Sequence, residues 1–227
     1  MNYLDPQKIK SSIAVFEETH DRLSRDASFD YCFNYFQNFT DKKQLVKSNV
    51  QLSCLHLHSY LASWGMLRNS FLMKKSIKFF EPLIEYFASD ECDVWGIDVN
   101  AYDEENIGKL IACYRKIKNI LLRDEEKPRK MVTLVTKIML GVFGNVPALD
   151  SYFRKASGWS TFNKRSLVEI GEFYNSKSYP ELISNEAAKI RTFDYESGNH
   201  SDRSYTRAKI IDTLFFMEGF NNSRQKP

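Results

Sequence analysis

Apolar residues return every three or four positions along most of this chain, the spacing that lines one face of an α-helix. Asp5-Pro6 reads as an N-cap followed by a first-turn proline, and Ile9, Ile13, Val15 and Phe16 then fall near helical spacing. Phe29 to Phe39 is crowded with aromatics. Residues 50–64 form another helical pattern through Leu52, Leu55, Leu57 and Leu61, with Gly65 as its stop. NSFLMKKSIKFFEPLIEYF continues the pattern, and Pro82 predicts a break or kink near Phe80. The stretch 88–104 (ASDECDVWGIDVNAYDE) is loop-like. Helix resumes at about 103, where IGKLIACYRKIKNILL repeats apolar residues at three and four, and the charged RDEEKPRK, containing Pro128, interrupts it. Further helices are expected at about 130–143, 148–157 and 162–175. The polar FDYESGNHSDRSY then separates off a last helix at about 205–219, and NNSRQKP reads as a frayed end.

These elements predict an all-α, compact multi-helix fold of nine or ten helices with short connections, forming a single helical domain over 1–227. A seam between two intimately packed lobes would fall near 88–104. Composition agrees: 9 Gly and 6 Pro are too few for the tight turns of an all-β fold, and 17 Phe with 12 Tyr supply a sizeable core. A net charge of +3 permits a nucleic-acid partner without demanding one. Cys32, Cys54, Cys92 and Cys113 include no C-x-x-C pair, so zinc and iron–sulfur spacing is absent, and buried free thiols in a reducing cytosol are expected. The polar MNYLDPQKIKSS lacks the apolar core of a signal peptide, and no apolar run approaches the ~20 residues needed to span a membrane, so a cytoplasmic location is expected.

LGVFGNVPALDSYFRKASGW, residues 140–159, concentrates punctuation that the chain otherwise uses sparingly. In the helix before it, Met131, Val132, Val135, Ile138, Met139, Val142 and Phe143 share a wide stripe, with Thr133, Thr136 and Lys137 opposite. Gly144 suits the left-handed residue that closes a helix, and Pro147 restricts the segment that follows. Asp150 then falls at the first turn of the next helix, where the dipole stabilises a carboxylate. Capping alone explains an aspartate there.

The run Val142-Phe143-Gly144-Asn145-Val146-Pro147-Ala148-Leu149-Asp150-Ser151-Tyr152-Phe153-Arg154-Lys155, followed by Gly158-Trp159, resembles the region of the helix-hairpin-helix DNA glycosylases that carries their catalytic aspartate. In that superfamily an apolar helix ends at a glycine, and a short proline-containing link follows. Then come an Asp, a small hydroxylated residue, a bulky residue, an Arg, and a Gly closing the next helix. The resemblance covers about 30 residues and implies an all-α fold, with Asp150 in the catalytic position. It departs in the hairpin: where the family usually has L-P-G-x-G, this chain has DEEKPRKMV, with Pro128 and no glycine. The family's grip on a DNA phosphate would have to come from another turn, helped by Lys127, Arg129 and Lys130. Thr133 falls near the position where some members carry a lysine nucleophile, with Lys130 and Lys137 one turn either side, which implies base excision without built-in strand cleavage. The unusual hairpin suggests a divergent substrate, such as a modified base in invading viral DNA, and hence a role in bacterial defence.

The chemistry implied is the loss of a base from a sugar that gains oxocarbenium character, stabilised by a carboxylate as in glycoside hydrolysis. The target nucleotide must leave the stack, so the site needs aromatic walls and polar groups to read a base edge. Candidates for that pocket are Trp64, Trp159, Tyr152 and His58, with Trp95 a further aromatic; Arg68 and Asn69 join Trp64 at a helix end. All of these rings serve equally well as core. Asp212 is a second carboxylate; a surface pair with Lys209 and a half-buried position facing the same cleft as Asp150 both fit its spacing. His56 and His58, two apart on a helix, do not share a face, so no His–His metal site is expected. Lys127, Arg129, Lys130, Lys137, Arg154 and Lys155 cluster along the sequence as a DNA-binding face would require, though Asp124, Glu125 and Glu126 beside them also fit a solvated charged turn.

Two functions are therefore expected from this chain. One is a monomeric, cofactor-free DNA glycosylase, with DNA as partner and neither metal nor membrane. The other is a non-catalytic helical module binding protein or nucleic acid, in which Asp150 serves only as a cap.

Overall fold

The computed structural model describes residues 5–68, 70–123, 131–176 and 178–224. Among these the fold is all-α apart from one small hairpin. Eleven α-helices follow one another as α1 (Pro6–Thr19), α2 (Ala27–Gln37), α3 (Gln44–Lys47), α4 (Val50–Ser63), α5 (Glu81–Ala88), α6 (Glu104–Leu121), α7 (Val132–Phe143), α8 (Ser151–Ser157), α9 (Lys164–Asn175), α10 (Tyr179–Lys189) and α11 (Arg207–Arg224). Strands β1 (Arg191–Phe193) and β2 (His200–Ser204) lie between α10 and α11.

Local chemistry accounts for most ends. Asp5 accepts the Gln7 N–H at the start of α1, and Asp103 accepts that of Asn106 at the start of α6. Gly144 takes φ +66° at the end of α7, the left-handed residue that its position predicts. Pro82 does not kink a long helix. It sits in the first turn of α5, where its missing N–H costs nothing, and short 3-10 turns at Phe71–Lys74 and Ile77–Phe80 occupy the preceding stretch.

Three expectations need correction. The span from 176 to 190 contains α10, whose Tyr179, Ile183 and Ala187 are buried at four-residue spacing behind Pro180. The polar stretch before α11 folds as the β1–β2 hairpin, antiparallel with Arg191 opposite Ser204 and Phe193 opposite His200. Its backbone is claimed by α2: Asp30 accepts the Phe193 N–H at 3.0 Å, and the Asn34 amide donates to the Phe193 carbonyl at 3.0 Å. On α4 the buried face is Ser53, Cys54, Leu57, Tyr60 and Leu61, whereas Leu52 and Leu55 face outward.

The core runs without interruption from Ile9 to Phe215 and includes Cys92, Val94 and Val99 within the 88–104 segment. Helix α7 lies at its centre, packed by α2, α4 and α6, and α11 runs along α8, α1 and α10. The closest approach is at Gly219, where any Cβ would enter the backbone of Tyr152. Thr136 and Lys137, expected opposite the apolar stripe of α7, are buried as well, because α7 is covered on every side.

Candidate functional site

The link between α7 and α8 is held by side chains from several elements. Thr206 donates its hydroxyl to the Gly144 carbonyl at 2.6 Å, and the Tyr102 hydroxyl donates to the Asn145 carbonyl at 2.6 Å. Asp212 Oδ1 accepts the Ala148 N–H at 2.9 Å. The Leu149 N–H donates to the Thr136 hydroxyl at 2.9 Å, and the Thr133 hydroxyl donates to the Leu149 carbonyl at 2.9 Å. A buried loop must find partners for its peptide groups. These bonds supply them, and they fix where Asp150 begins α8.

The two oxygens of Asp150 do different things. Oδ1 accepts the backbone N–H groups of Tyr152 and Phe153, each at 3.0 Å, and so caps α8. Oδ2 lies 3.3 Å from Lys137 Nζ, and the two side chains are 12% and 4% exposed. The same Nζ stands 4.2 Å from the centre of the Trp64 ring. Capping and an ion pair with Lys137 therefore coexist in one carboxylate.

A second ion pair adjoins the first. Lys209 Nζ lies 3.3 Å from Asp212 Oδ2, both side chains buried, and sits 5.9 Å from the Trp64 ring centre. The i, i+3 pair is thus real but is not on the surface: both residues are buried, and Lys209 Nζ lies 4.9 and 5.9 Å from the Phe29 and Tyr205 ring centres. Burial pushes the Asp212 carboxyl above the ordinary carboxylate range, against the pull of Lys209 and Lys137, and the nearby Asp150 adds to the rise. Burial also raises the Tyr60 hydroxyl well above its usual value, helped by Asp212. From the solvent side, the Arg25 guanidinium lies 4.5 Å above the Trp64 ring and 6.0 Å from Phe216. Trp64 is therefore the aromatic centre of a cluster with two carboxylates and three cations.

The remaining predicted residues lie as follows. Tyr152 packs edge-on to Phe216 and Phe220, beside the cluster. Arg154 is tied to the Asp150 carbonyl through Nε at 3.2 Å, and Lys155 is exposed one residue on. Trp159 is in the core against Phe153, Phe173 and Phe215, its indole N–H donating to Glu169, so it is spent on packing. His58 turns to Phe80, and Trp95 packs on Phe143 with its N–H on the Phe87 carbonyl. His56 stacks on Tyr35, where burial lowers its pKa. Arg68 is exposed in the turn after α4. Asn69, Lys127, Arg129 and Lys130 lie outside the described residues, as does the hairpin position with Pro128. Sequence reasoning missed Arg25, which stands in a polar turn with no local signal.

Clefts of about 240 and 600 Å³ open elsewhere, beside Tyr86 and Cys113 and between α1 and α10. The first is lined by Glu91, Lys109 and Lys116, the second by Lys10, Glu181, Lys189 and the buried Glu186, and neither has the buried cation–aromatic arrangement around Trp64. Among the described residues, no three His, Cys, Asp or Glu side chains gather as a metal site, and no helix is long and apolar enough to cross a membrane. The chain matches no protein-family model, no curated protein and no solved structure.

Proposed function

We propose that this protein is a DNA glycosylase of the helix-hairpin-helix type that excises a modified or damaged base. The observation that carries the reading is the divided carboxylate of Asp150: one oxygen is fixed by two α8 amides, and the other stands at the Lys137–Trp64 face. A carboxylate so restrained needs little reorganisation to meet a developing positive charge.

In this reading the bond between the base and C1′ breaks and its electron pair leaves with the base. Asp150 Oδ2 stabilises the oxocarbenium-like sugar. Water then adds to C1′ and gives up a proton, with Asp150 as the acceptor. Thr133, Thr136 and Asp212 hold the preceding backbone and act as positioning residues. Trp64 is the wall for the extruded base. Leu23, 87% exposed, is in this reading the side chain that enters the base stack where the nucleotide has left.

Modified phage DNA and duplexes carrying single damaged or modified bases provide the test, with abasic sites revealed by alkaline cleavage. The expected result is cleavage with the wild type and at least a hundredfold less with Asp150→Asn, in line with ~3–4 kcal/mol for one lost stabilising group. Equal behaviour of the two proteins on every substrate would remove the enzymatic reading. It would favour a helical binding module, in which the Oδ1 cap and the Lys137 ion pair are the whole purpose of Asp150.

A further inference from the structure

Charge is distributed unevenly along the chain. From Lys42 to Phe80 there is no Asp or Glu, while seven lysines and arginines fall in the same run, so the rest of the chain is net acidic. Helix α4 lies inside this run and has no Lys, Arg, Asp or Glu of its own. Its outer face presents Leu52 and Leu55, 46% and 41% exposed. With Met73, these are three of the six large apolar side chains exposed among the described residues. Along the edge of the face a cleft of about 290 Å³ opens between the start of α4 and the turn at Ile77–Phe80. Val50, Cys54 and Ile77 give it apolar walls, and Gln51, one turn before Leu55, borders both the cleft and the face. Lys78 at the cleft is neutralised by Glu81 at 2.9 Å. The net charge nearby therefore comes from Lys47, Lys74 and Lys75, which make no ion pair among the described residues. Each stands two or three residues from Val50 or Ile77, which keeps its Cα within about 11 Å of the lining.

We propose that the outer face of α4 and its cleft dock an acidic segment of another protein, one that places a large apolar side chain in the cleft. Apolar groups that fold against nothing in their own chain mark a contact surface, and surrounding cations select a partner of opposite charge. The mixture decides the kind of partner. Leu52 and Leu55 offer no hydrogen bond to phosphates or base edges, which nucleic acid would require. A lipid surface takes apolar side chains that project into it and has no use for a concave, apolar-walled cleft. An amphipathic acidic peptide uses all three features: the cleft for its anchor, the leucines for its apolar face and the lysines for its charge. The proposal stands apart from the glycosylase reading, because none of these residues belongs to the cluster around Trp64 and Asp150.

Short random peptides displayed on phage and selected against the wild-type protein provide the test. The enriched peptides should be net acidic and share a Leu, Phe or Trp. Synthetic copies, followed by fluorescence anisotropy, should bind about tenfold or more weakly to Leu55→Glu and to the double variant Lys47→Glu with Lys74→Glu, and should weaken as salt is raised. All three substitutions replace exposed side chains, and urea unfolding checks that each variant keeps its fold. No enrichment, enriched peptides that are not acidic, or affinities that neither variant changes would overturn the proposal. Two further probes are phosphatidylserine vesicles, by co-sedimentation, and a plain DNA duplex. If the same substitutions weaken binding to either one and leave the selected peptides unaffected, the face belongs to lipid or to nucleic acid, and the proposal is overturned in that way too.

Discussion

Lys137 Nζ and Asp150 Oδ2 stand 3.3 Å apart, joining the middle of α7 to the first turn of α8 in a nearly closed part of the core. Breaking a buried pair by deleting one partner costs far more than replacing both, because the survivor keeps its desolvation penalty. Lys137→Met is expected to destabilise the protein by ~3–5 kcal/mol, and Lys137→Met with Asp150→Asn to recover part of that, since Asn retains the capping oxygen. Urea unfolding of the two single variants and the double gives the coupling directly. Additive losses would mean that the pair is not coupled.

Asp212 is expected to act on α8 without touching it, through the Ala148 N–H. Asp212→Ala leaves that amide and the Lys209 ammonium without a partner in the core, a loss of ~3–5 kcal/mol by the same reasoning. Asp212→Asn keeps an acceptor for Ala148 and should lose less. Thermal or urea unfolding that ranks the two variants in the opposite order would show that the Ala148 bond is not what matters.

Gly219 faces the backbone of Tyr152 where α8 and α11 touch. Gly219→Ala must push the helices apart despite its better helix propensity, with an expected net loss of ~1–3 kcal/mol. Stabilisation in a urea titration, as for an exposed helical glycine, would contradict the close approach.

Lys42 tests the electrostatics elsewhere in the fold. Its ammonium donates to the Phe36 carbonyl at 3.0 Å and stands 3.9 Å over Trp95. Partial burial and the repulsion of Arg203 lower its pKa from 10.5 to about 8. The folded protein therefore releases this proton before the unfolded chain does, and the Lys42 contribution to stability rises with pH between about 8 and 10.5. It is lost as pH falls through the lower value. Melting temperatures across that range should climb more steeply for wild type than for Lys42→Met; parallel curves would refute the shift.

The parts of the site readable in advance were those written locally. Gly144, Pro147 and Asp150 announce a helix end, a link and a new start within seven residues. Lys137 was legible as a charge on the far side of α7 and as a candidate DNA contact; it is instead buried against Asp150, a partner thirteen residues on, beyond the link. Trp64 was one of several equivalent aromatics until Lys137, Lys209 and Arg25 were found around it, while Trp159 turned out to fill the core. The β1–β2 hairpin has no alternating apolar pattern to betray it, since its backbone is secured by Asp30 and Asn34 on a helix more than 150 residues earlier.

By itself the sequence determined most of the helices, α10 excepted, and several of their ends, because periodicity, caps and left-handed glycines act over a few residues and need no distant partner. The tertiary structure alone decided which charges were buried and whom they met. Whether a lysine faces water or a carboxylate depends on which helices cover it, and that follows from packing across the whole chain. The pairing of Lys137 with Asp150, and the ring of cations around Trp64, belong to that second kind of information.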